Sequence, residues 1–223
     1  MCAEQTRQLV QLIQSRLEWS SPKMRRMSNF VHPDADIDDD VVIGDGTSIW
    51  QLVHVRRGAR IGSECVIGRG AFVDENVHLG DRVKVQNYAL VYSPAQVESD
   101  VFIGPAVVLT NDKYPRASNP DGSRKSAEDW EHVGVTIRQG ASIGARSVCV
   151  APVVIGEFAS VGAGSVVVKD VPAFALVLGN PARQVGWVDH SGHRLVALGD
   201  GRFRSERLGL QFEEVDGQLV VLK

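Results

Sequence analysis

Cysteine is scarce in this chain of 223 residues. The three present, Cys2, Cys65 and Cys149, are too few and too scattered for a disulfide framework or a four-ligand zinc site. Aromatic residues reach only 6%. Charge of one sign is lacking as well: 24 Lys+Arg stand against 27 Asp+Glu, a net −3, which argues against nucleic-acid binding by bulk positive charge. No apolar run approaches the ~18 residues that span a bilayer, and the N-terminus shows no cleavable apolar core. No membrane association is expected, and a cytoplasmic location is the default. With 43% hydrophobic and 23% charged residues, the composition is that of a folded chain, and the length fits one large domain or two small ones.

Glycine is plentiful, at 22 residues, and it keeps company with a strict period. Counting in sixes from Val31 gives Val31, Ile37, Ile43, Ile49, Val55, Ile61, Ile67, Val73, Leu79, Val85, Val91, Val97, Ile103 and Leu109 without a miss. The next residue is repeatedly Gly (Gly44, Gly62, Gly68, Gly80, Gly104), and the fourth after the aliphatic is small or β-branched. Each hexad is expected to form one short strand and a turn, so that three hexads make a triangular coil stacked ~4.8 Å from the next by parallel ladder bonds. The aliphatic points into the prism, and the Gly is expected to allow turn angles that a side chain resists. One coil cannot bury its own face, so stability comes from stacking.

The register breaks after Leu109 and resumes at Ile137, Ile143, Cys149, Ile155, Val161 and Val167. Between them, residues 111–133 have the composition of an excursion loop, with Tyr114, Arg116 and Trp130 giving it contact potential. Residues 6–17 read as an amphipathic helix with Leu9, Val10, Ile13 and Leu17 on one side, and with Met27 so close to the repeats, residues 1–26 read as an appendage. From about Arg194, short alternating segments separated by glycines predict a small β tail. The expected fold is all-β: a parallel β-helix of about seven triangular coils over 29–172, an N-terminal helical extension over 1–28, and a closing segment with a β tail over 173–223.

Residues 18 apart should lie one above another, so the columns follow from the numbering alone. Gln51, Arg69, Asn87 and Pro105 form one, flanked by Trp50, Gly68, Gln86, Gly104 and by Leu52, Gly70, Tyr88, Ala106. Gln86, Asn87 and Tyr88 therefore make a polar step among small neighbours, one coil short of the loop; Asn87 is either a turn-former or part of a site. His54 stands in an outer column with Asp36, Phe72 and Leu90, and no pair of histidines has metal-ligand spacing; His190 with His193 reads as a turn. Cys65 and Cys149 fall on inward positions and should be inert.

Val31 to Val188 resembles the left-handed β-helix acyltransferases, and within them the N-acetyltransferases of nucleotide-linked 3-amino sugars, of the UDP-2-acetamido-3-amino-2,3-dideoxyglucuronate and dTDP-3-amino-3,6-dideoxyhexose types. Val85-Gln-Asn, Thr110-Asn-Asp-Lys-Tyr-Pro-Arg and the closing Gly179-Asn-Pro-Ala-Arg carry the likeness most specifically. The sequence departs from the hexuronate enzymes at Tyr88, where a second Asn is usual, at Gln51, where His is commoner, and in the loop stretch 121–130.

The resemblance implies a left-handed coil and a homotrimer, with acetyl-CoA as co-substrate between neighbouring prisms and no metal. The sugar amine needs no strong base, because it is partly unprotonated near neutral pH. Catalysis then rests on placement and on donors to the thioester oxygen. Asn87 would orient the amine, with His54 a lesser candidate as proton acceptor. Gln86, Tyr88, Asn111, Tyr114 and Arg116 would meet the nucleotide sugar. Gly104, Ala145, Gly162 and Ala163 would present unobstructed backbone to the pantetheine arm, Gly162 and Ala163 together with Gly164. Pro181, Lys169 and Arg183 would bound the adenine end and pair with its phosphates. Three other readings stand beside this one: a γ-carbonic-anhydrase type metal enzyme, for which His132 alone is suitably placed; an acetyltransferase for another amine or a hydroxyl; and a non-catalytic scaffold.

Overall fold

Two-residue strands recur at each hexad of the computed structural model, which describes residues 28–222. Before the loop each pairs in parallel with the strand 18 residues on, Phe30 with Ser48, Lys84 with Phe102, Leu90 with Val108, and across the loop the spacing is 40, as in Phe102 with Ser142. Three hexads complete a coil, and three sheets enclose a triangular prism. The first face runs from Phe30–Val31 to Ala175–Gly179 and stacks eight parallel strands before an antiparallel ninth; the second begins at Asp36–Ile37 with seven, and the third at Val42–Ile43 with six. The expected all-β parallel helix is present, with between seven and eight turns. The edge following each face takes the same ordinal below. The amphipathic stretch at 6–17 lies outside the described residues.

Burial follows the period. Inward residues from Ile49 to Val167 are at most 3% exposed, and Ala59, Ala71, Ala89 and Ala141 fill the narrower slots between them. Each buried Val or Ile contributes ~1.5–3 kcal/mol.

The expected role of the repeat glycines is corrected. Left-handed backbone angles fall two residues later, mostly on residues with side chains: Leu52 (φ 59°), Arg82 (56°), Tyr88 (60°), Ala106 (54°) and Arg146 (59°). The glycines sit where coils touch. A β-carbon on Gly44 would lie 2.5 Å from Ser63 N, on Gly62 2.6 Å from Gly80 O, and on Gly104 2.7 Å from Ala145 N. Close approach of neighbouring backbones, rather than turn conformation, excludes a side chain there.

The loop leaves the second edge after Val108–Leu109 and returns at Val135–Ile137. Its root is fastened by Val133 N–H donating to Asn111 O (3.4 Å) and Ala151 N–H donating to Thr110 Oγ1 (3.0 Å). Within it, Ser126 caps a single 3-10 turn, Ala127–Asp129, and Asp121 accepts from the Ser123 N–H and hydroxyl. Beyond the prism, Ala175–Gly179 and Ala182–Trp187 form a closing hairpin. A four-stranded antiparallel sheet follows, including one strand the sequence pattern misses, Arg202–Arg204, entered through a turn at Asp200 (φ 50°) and Gly201 (φ 71°).

Candidate functional site

The three edges differ in what joins their coils. At the second edge Arg56 Nη1 meets Asp74 Oδ1 at 2.8 Å and Arg57 Nε meets Glu75 at 3.3 Å. At the third, Arg82 pairs with Asp100 (2.6 Å) and Arg138 with Glu98 (2.7 Å). At the first edge, among the described residues, no ion pair joins one coil to the next. Its backbone is laddered, as at the other edges: Tyr88 N to Arg69 O (3.0 Å), Ala106 N to Asn87 O (2.9 Å), Arg146 N to Pro105 O (2.8 Å) and Gly164 N to Ala145 O (2.9 Å). Asn87, Pro105, Ala145 and Ala163 are thus consecutive along one open edge.

On that edge Asn87 lies down over the preceding coil. A β-carbon on Gly68 would fall 2.5 Å from Asn87 Oδ1, and one on Gly70 would fall 2.6 Å from the Tyr88 ring. The two glycines make room for a shelf bearing an amide and a half-exposed phenol. Asn87 has no left-handed backbone angle; Tyr88 takes that position. Asn87 and Tyr88 are the two central residues of the turn that Ala89 N–H closes on Gln86 O (3.2 Å), so Asn87 is a turn residue whose side chain also reaches the shelf.

Further along, the positions read as a cofactor track are partly open. Gly104 is shielded by Ala145 backbone, and the side chain of Leu178 lies over Gly162, so Gly162 is not the unobstructed surface expected of it. Gly164 has nothing within 4 Å of its missing β-carbon. Ala163 and Gly164 remain available where Gly162 does not. At the end of the prism, Lys169 and Arg183 line one solvent-open recess of about 200 Å³ with Asp170, Pro172 and Gln184. Asp170, which also lines it, accepts from Val154 N–H at one oxygen (2.8 Å) and keeps its negative charge beside the two cations. Asn180 and Pro181 form the hairpin turn beside it.

The loop and His54 are elsewhere within the chain. Asn111 sits at the loop root on the second edge, one face away from Asn87, so the two are not neighbours as their sequence separation suggests. Tyr114 is 72% exposed, with Lys113 Nζ 5.4 Å from its ring centre, and Arg116 Nη1 donates to the Pro115 carbonyl (3.0 Å). Trp130 and His132 stack at 3.9 Å. His54, on the second face two coils from Leu90, has Nε2 3.6 Å from Asp38 and 3.9 Å from Asp36, with Phe72 edge-on at 5.5 Å. These three groups are close enough to hold a cation, an arrangement that spacing between histidines does not reveal although Asp36 stands 18 residues before His54.

Burial makes the inward thiols inert. Cys149 is pushed up to about 12, and Cys65 is raised likewise, its Sγ donating to Gly80 O (3.1 Å). In the turn after Val188, Asp189 accepts from Ser191 N–H, His193 N–H and the Ser205 hydroxyl. His190 is wedged against Phe158 and Phe174, and desolvation lowers it to about 4.

Comparison with known proteins identifies the repeats. Residues 40–75 match the bacterial transferase hexapeptide (six repeats), and 134–169 match the hexapeptide repeat of succinyl-transferase. The chain is 61% identical over 59 residues, 26% of its length and 31% of the relative's, to a dTDP-3-amino-3,6-dideoxy-alpha-D-galactopyranose 3-N-acetyltransferase of Aneurinibacillus thermoaerophilus. It is 49% identical over 73 residues, 31% of its length and 15% of the relative's, to bifunctional protein GlmU of Thermotoga petrophila. The matched segments thus span less than a third of these relatives. A hexapeptide transferase family protein from Anaplasma phagocytophilum has 17% identity over 76% of this chain and 89% of its own, with a TM-score of 0.49. This chain is a hexapeptide-repeat β-helix protein that resembles the N-acetyltransferases of nucleotide-linked amino sugars.

Proposed function

We propose that the chain is an acetyl-CoA-dependent N-acetyltransferase acting on the amine of a nucleotide-linked amino sugar, a 3-amino sugar first of all, as a cytoplasmic homotrimer. The observation that carries this is the 61% identity to an enzyme named for that reaction on a dTDP-linked sugar. The geometry of the first edge supports it. Asn87 offers a side-chain carbonyl that can accept from an amine N–H and so hold the nitrogen lone pair toward the thioester carbon. The lone pair attacks, the C–S bond breaks, and the departing thiolate takes the surplus proton. Along the same edge Ala163 and Gly164 suit a pantetheine arm, and the Lys169–Arg183 recess suits the anionic adenine end. His54, held by two carboxylates, is the lesser candidate for proton acceptor.

Assembly follows from what one chain leaves apart. The loop that carries Tyr114 and Arg116 leaves a different edge from the one bearing Asn87, so a neighbour's loop is needed to close over the shelf. Phe30, Trp50 and Leu52, at 43%, 44% and 56% exposure, give the first face and its edge an apolar surface suited to another copy. A thiol-release assay with acetyl-CoA across UDP- and dTDP-linked 3-amino and 4-amino sugars, on protein whose mass is measured by light scattering, tests the proposal. Turnover by a species of three chains supports it. Absence of turnover on every sugar, with no acetyl-CoA-dependent rise in unfolding temperature, leaves a scaffold; a ligand at ~100 times its dissociation constant should add ~2.7 kcal/mol.

A further inference from the structure

Among the described residues, nothing covers the first coil of the prism. Val31 is 42% exposed, and Ile37 and Ile43 are half-buried, although they hold the inward hexad position whose later members are at most 3% exposed. The main chain is also unfinished there. In every later coil, inward residues turn their carbonyls to the coil before: Ile49 O accepts from His32 N (2.9 Å), Val55 O from Asp38 N (2.9 Å) and Ile61 O from Gly44 N (2.8 Å). Val31, Ile37 and Ile43 have no such coil among the described residues. A stack of repeats ordinarily needs a distinct terminal cover for its open face.

We infer that this end is the docking surface for the chain's own N-terminal segment, with the apolar side of residues 6–17 laid across Val31, Ile37 and Ile43. Three observations favour that occupant. The segment departs from the surface itself, because the described chain begins at residue 28 and Asn29 is already fastened to the second coil, its Oδ1 accepting from Thr47 N–H (3.2 Å). Leu9, Val10, Ile13 and Leu17 recur at helical spacing, and twelve helical residues would extend about 18 Å. Charge is complementary: residues 28–46 carry six aspartates (Asp34, Asp36, Asp38, Asp39, Asp40, Asp45) and no Lys or Arg, while residues 1–27 carry Arg7, Arg16, Lys23, Arg25 and Arg26 against only Glu4 and Glu18. The docking is separate from the Asn87 shelf and the Lys169–Arg183 recess, none of whose residues lies in this coil; Asp36 and Asp38, beside His54, do lie in it and are left unchanged in every variant below.

Hydrogen exchange of the full chain, followed by mass spectrometry on peptides covering 28–46, reads the cover directly, because the register turns the amides of Val31, Ile37 and Ile43 to the open end. Slow exchange is expected in the native sequence and in the conservative Leu9→Met/Ile13→Leu variant. Leu9→Asp/Ile13→Asp should exchange at least tenfold faster in 28–46, with peptides from 140–167 unchanged as proof that the prism is intact. Equal exchange in all three proteins overturns the inference. So does protection that survives the aspartates and rises with protein concentration, which would assign the end to a second copy. If the aspartate variant does not fold, Arg25→Glu/Arg26→Glu and its complement with Asp39→Arg/Asp40→Arg replace it. Loss of protection in the first and recovery in the second is the expected result, Arg being tolerated at the turn position of Asp40, as Arg82 and Arg146 show. Protection unaffected by the first overturns it.

Discussion

The Asn87 side-chain oxygen occupies the space in which Gly68 would carry a β-carbon, 2.5 Å from that position. An amide folded onto the preceding coil in this way is held by packing rather than by a partner side chain, and its orientation depends on the glycine beneath.

Asn87→Ala should therefore leave the prism standing, because the residue is on an edge and its backbone bond from Ala106 persists. Losing one orienting hydrogen bond to the reacting amine should lower kcat/KM for the best sugar roughly tenfold to a hundredfold, equivalent to about 1.4–2.7 kcal/mol. Steady-state thiol release alongside thermal unfolding separates the two effects. Unchanged turnover would remove Asn87 from the chemistry.

Lys169, in the bend after the strand Val166–Val167, and Arg183, on the strand Ala182–Trp187, share one recess. If that recess takes the phosphates of CoA, Lys169→Ala and Arg183→Ala should each raise KM for acetyl-CoA several-fold with kcat nearly unchanged, the mark of uniform binding. The effect should shrink at high salt. With acetyl-CoA lacking its 3′-phosphate, at least one of the two substitutions should lose its effect. Equal KM values for native and both variant proteins would exclude the recess.

Stability should depend on pH through His190. Its folded-state pKa is about 4, depressed by burial against Phe158 and Phe174, whereas the unfolded value is about 6.5. The neutral form is the folded form, so the stability is fully present above pH 6.5 and is lost as pH falls from there through 4. Discounting for partial solvent access, the loss should be about 2 kcal/mol. Denaturant unfolding at pH 7 and pH 4.5 should show it, and His190→Leu should flatten that part of the profile.

How far the sequence reveals this molecule depends on the range of each interaction. The hexad period is local and repeated, so the strands, the coil and the buried Cys149 follow from counting. The column arithmetic also finds the Gln86-Asn87-Tyr88 step and its small neighbours. What counting misjudges is contact between backbones: Gly62 against Gly80 is a matter of coil spacing, not of turn angles, and Leu178 over Gly162 belongs to a hairpin outside the repeat. Sequence separation brings the loop close to Asn87, because Thr110 stands only 23 positions after it, yet that separation is one coil of 18 plus most of another hexad, which carries the chain to the next edge. The Asp36–Asp38–His54 group is visible in the columns once outward carboxylates are tracked along with inward aliphatics.

Asp74 illustrates what closes the edges that carry no site. Its carboxylate is almost fully buried and accepts from Arg56 Nη1 (2.8 Å), Glu75 N–H (2.9 Å) and Ser93 N–H (3.1 Å), tying three consecutive coils. Arg56, in turn, is held charged by that hydrogen bond. Removing the cation leaves a desolvated carboxylate with two backbone donors, whereas removing the carboxylate leaves a cation free to reach solvent and Glu75 (3.5 Å) but orphans two amides. Arg56→Ala should cost about 1–2 kcal/mol, less than a fully buried pair because the Arg56 side chain is 35% exposed and solvent screens the charge left behind. Asp74→Asn, able to accept at one oxygen only, should cost about 1–2 kcal/mol. Denaturant midpoints for both variants, with the double variant closing the cycle, would measure the coupling. If the two substitutions were additive, the Arg56–Asp74 contact would carry no coupling, and Arg57–Glu75 (3.3 Å) with the backbone ladder would be what joins the coils of the second edge.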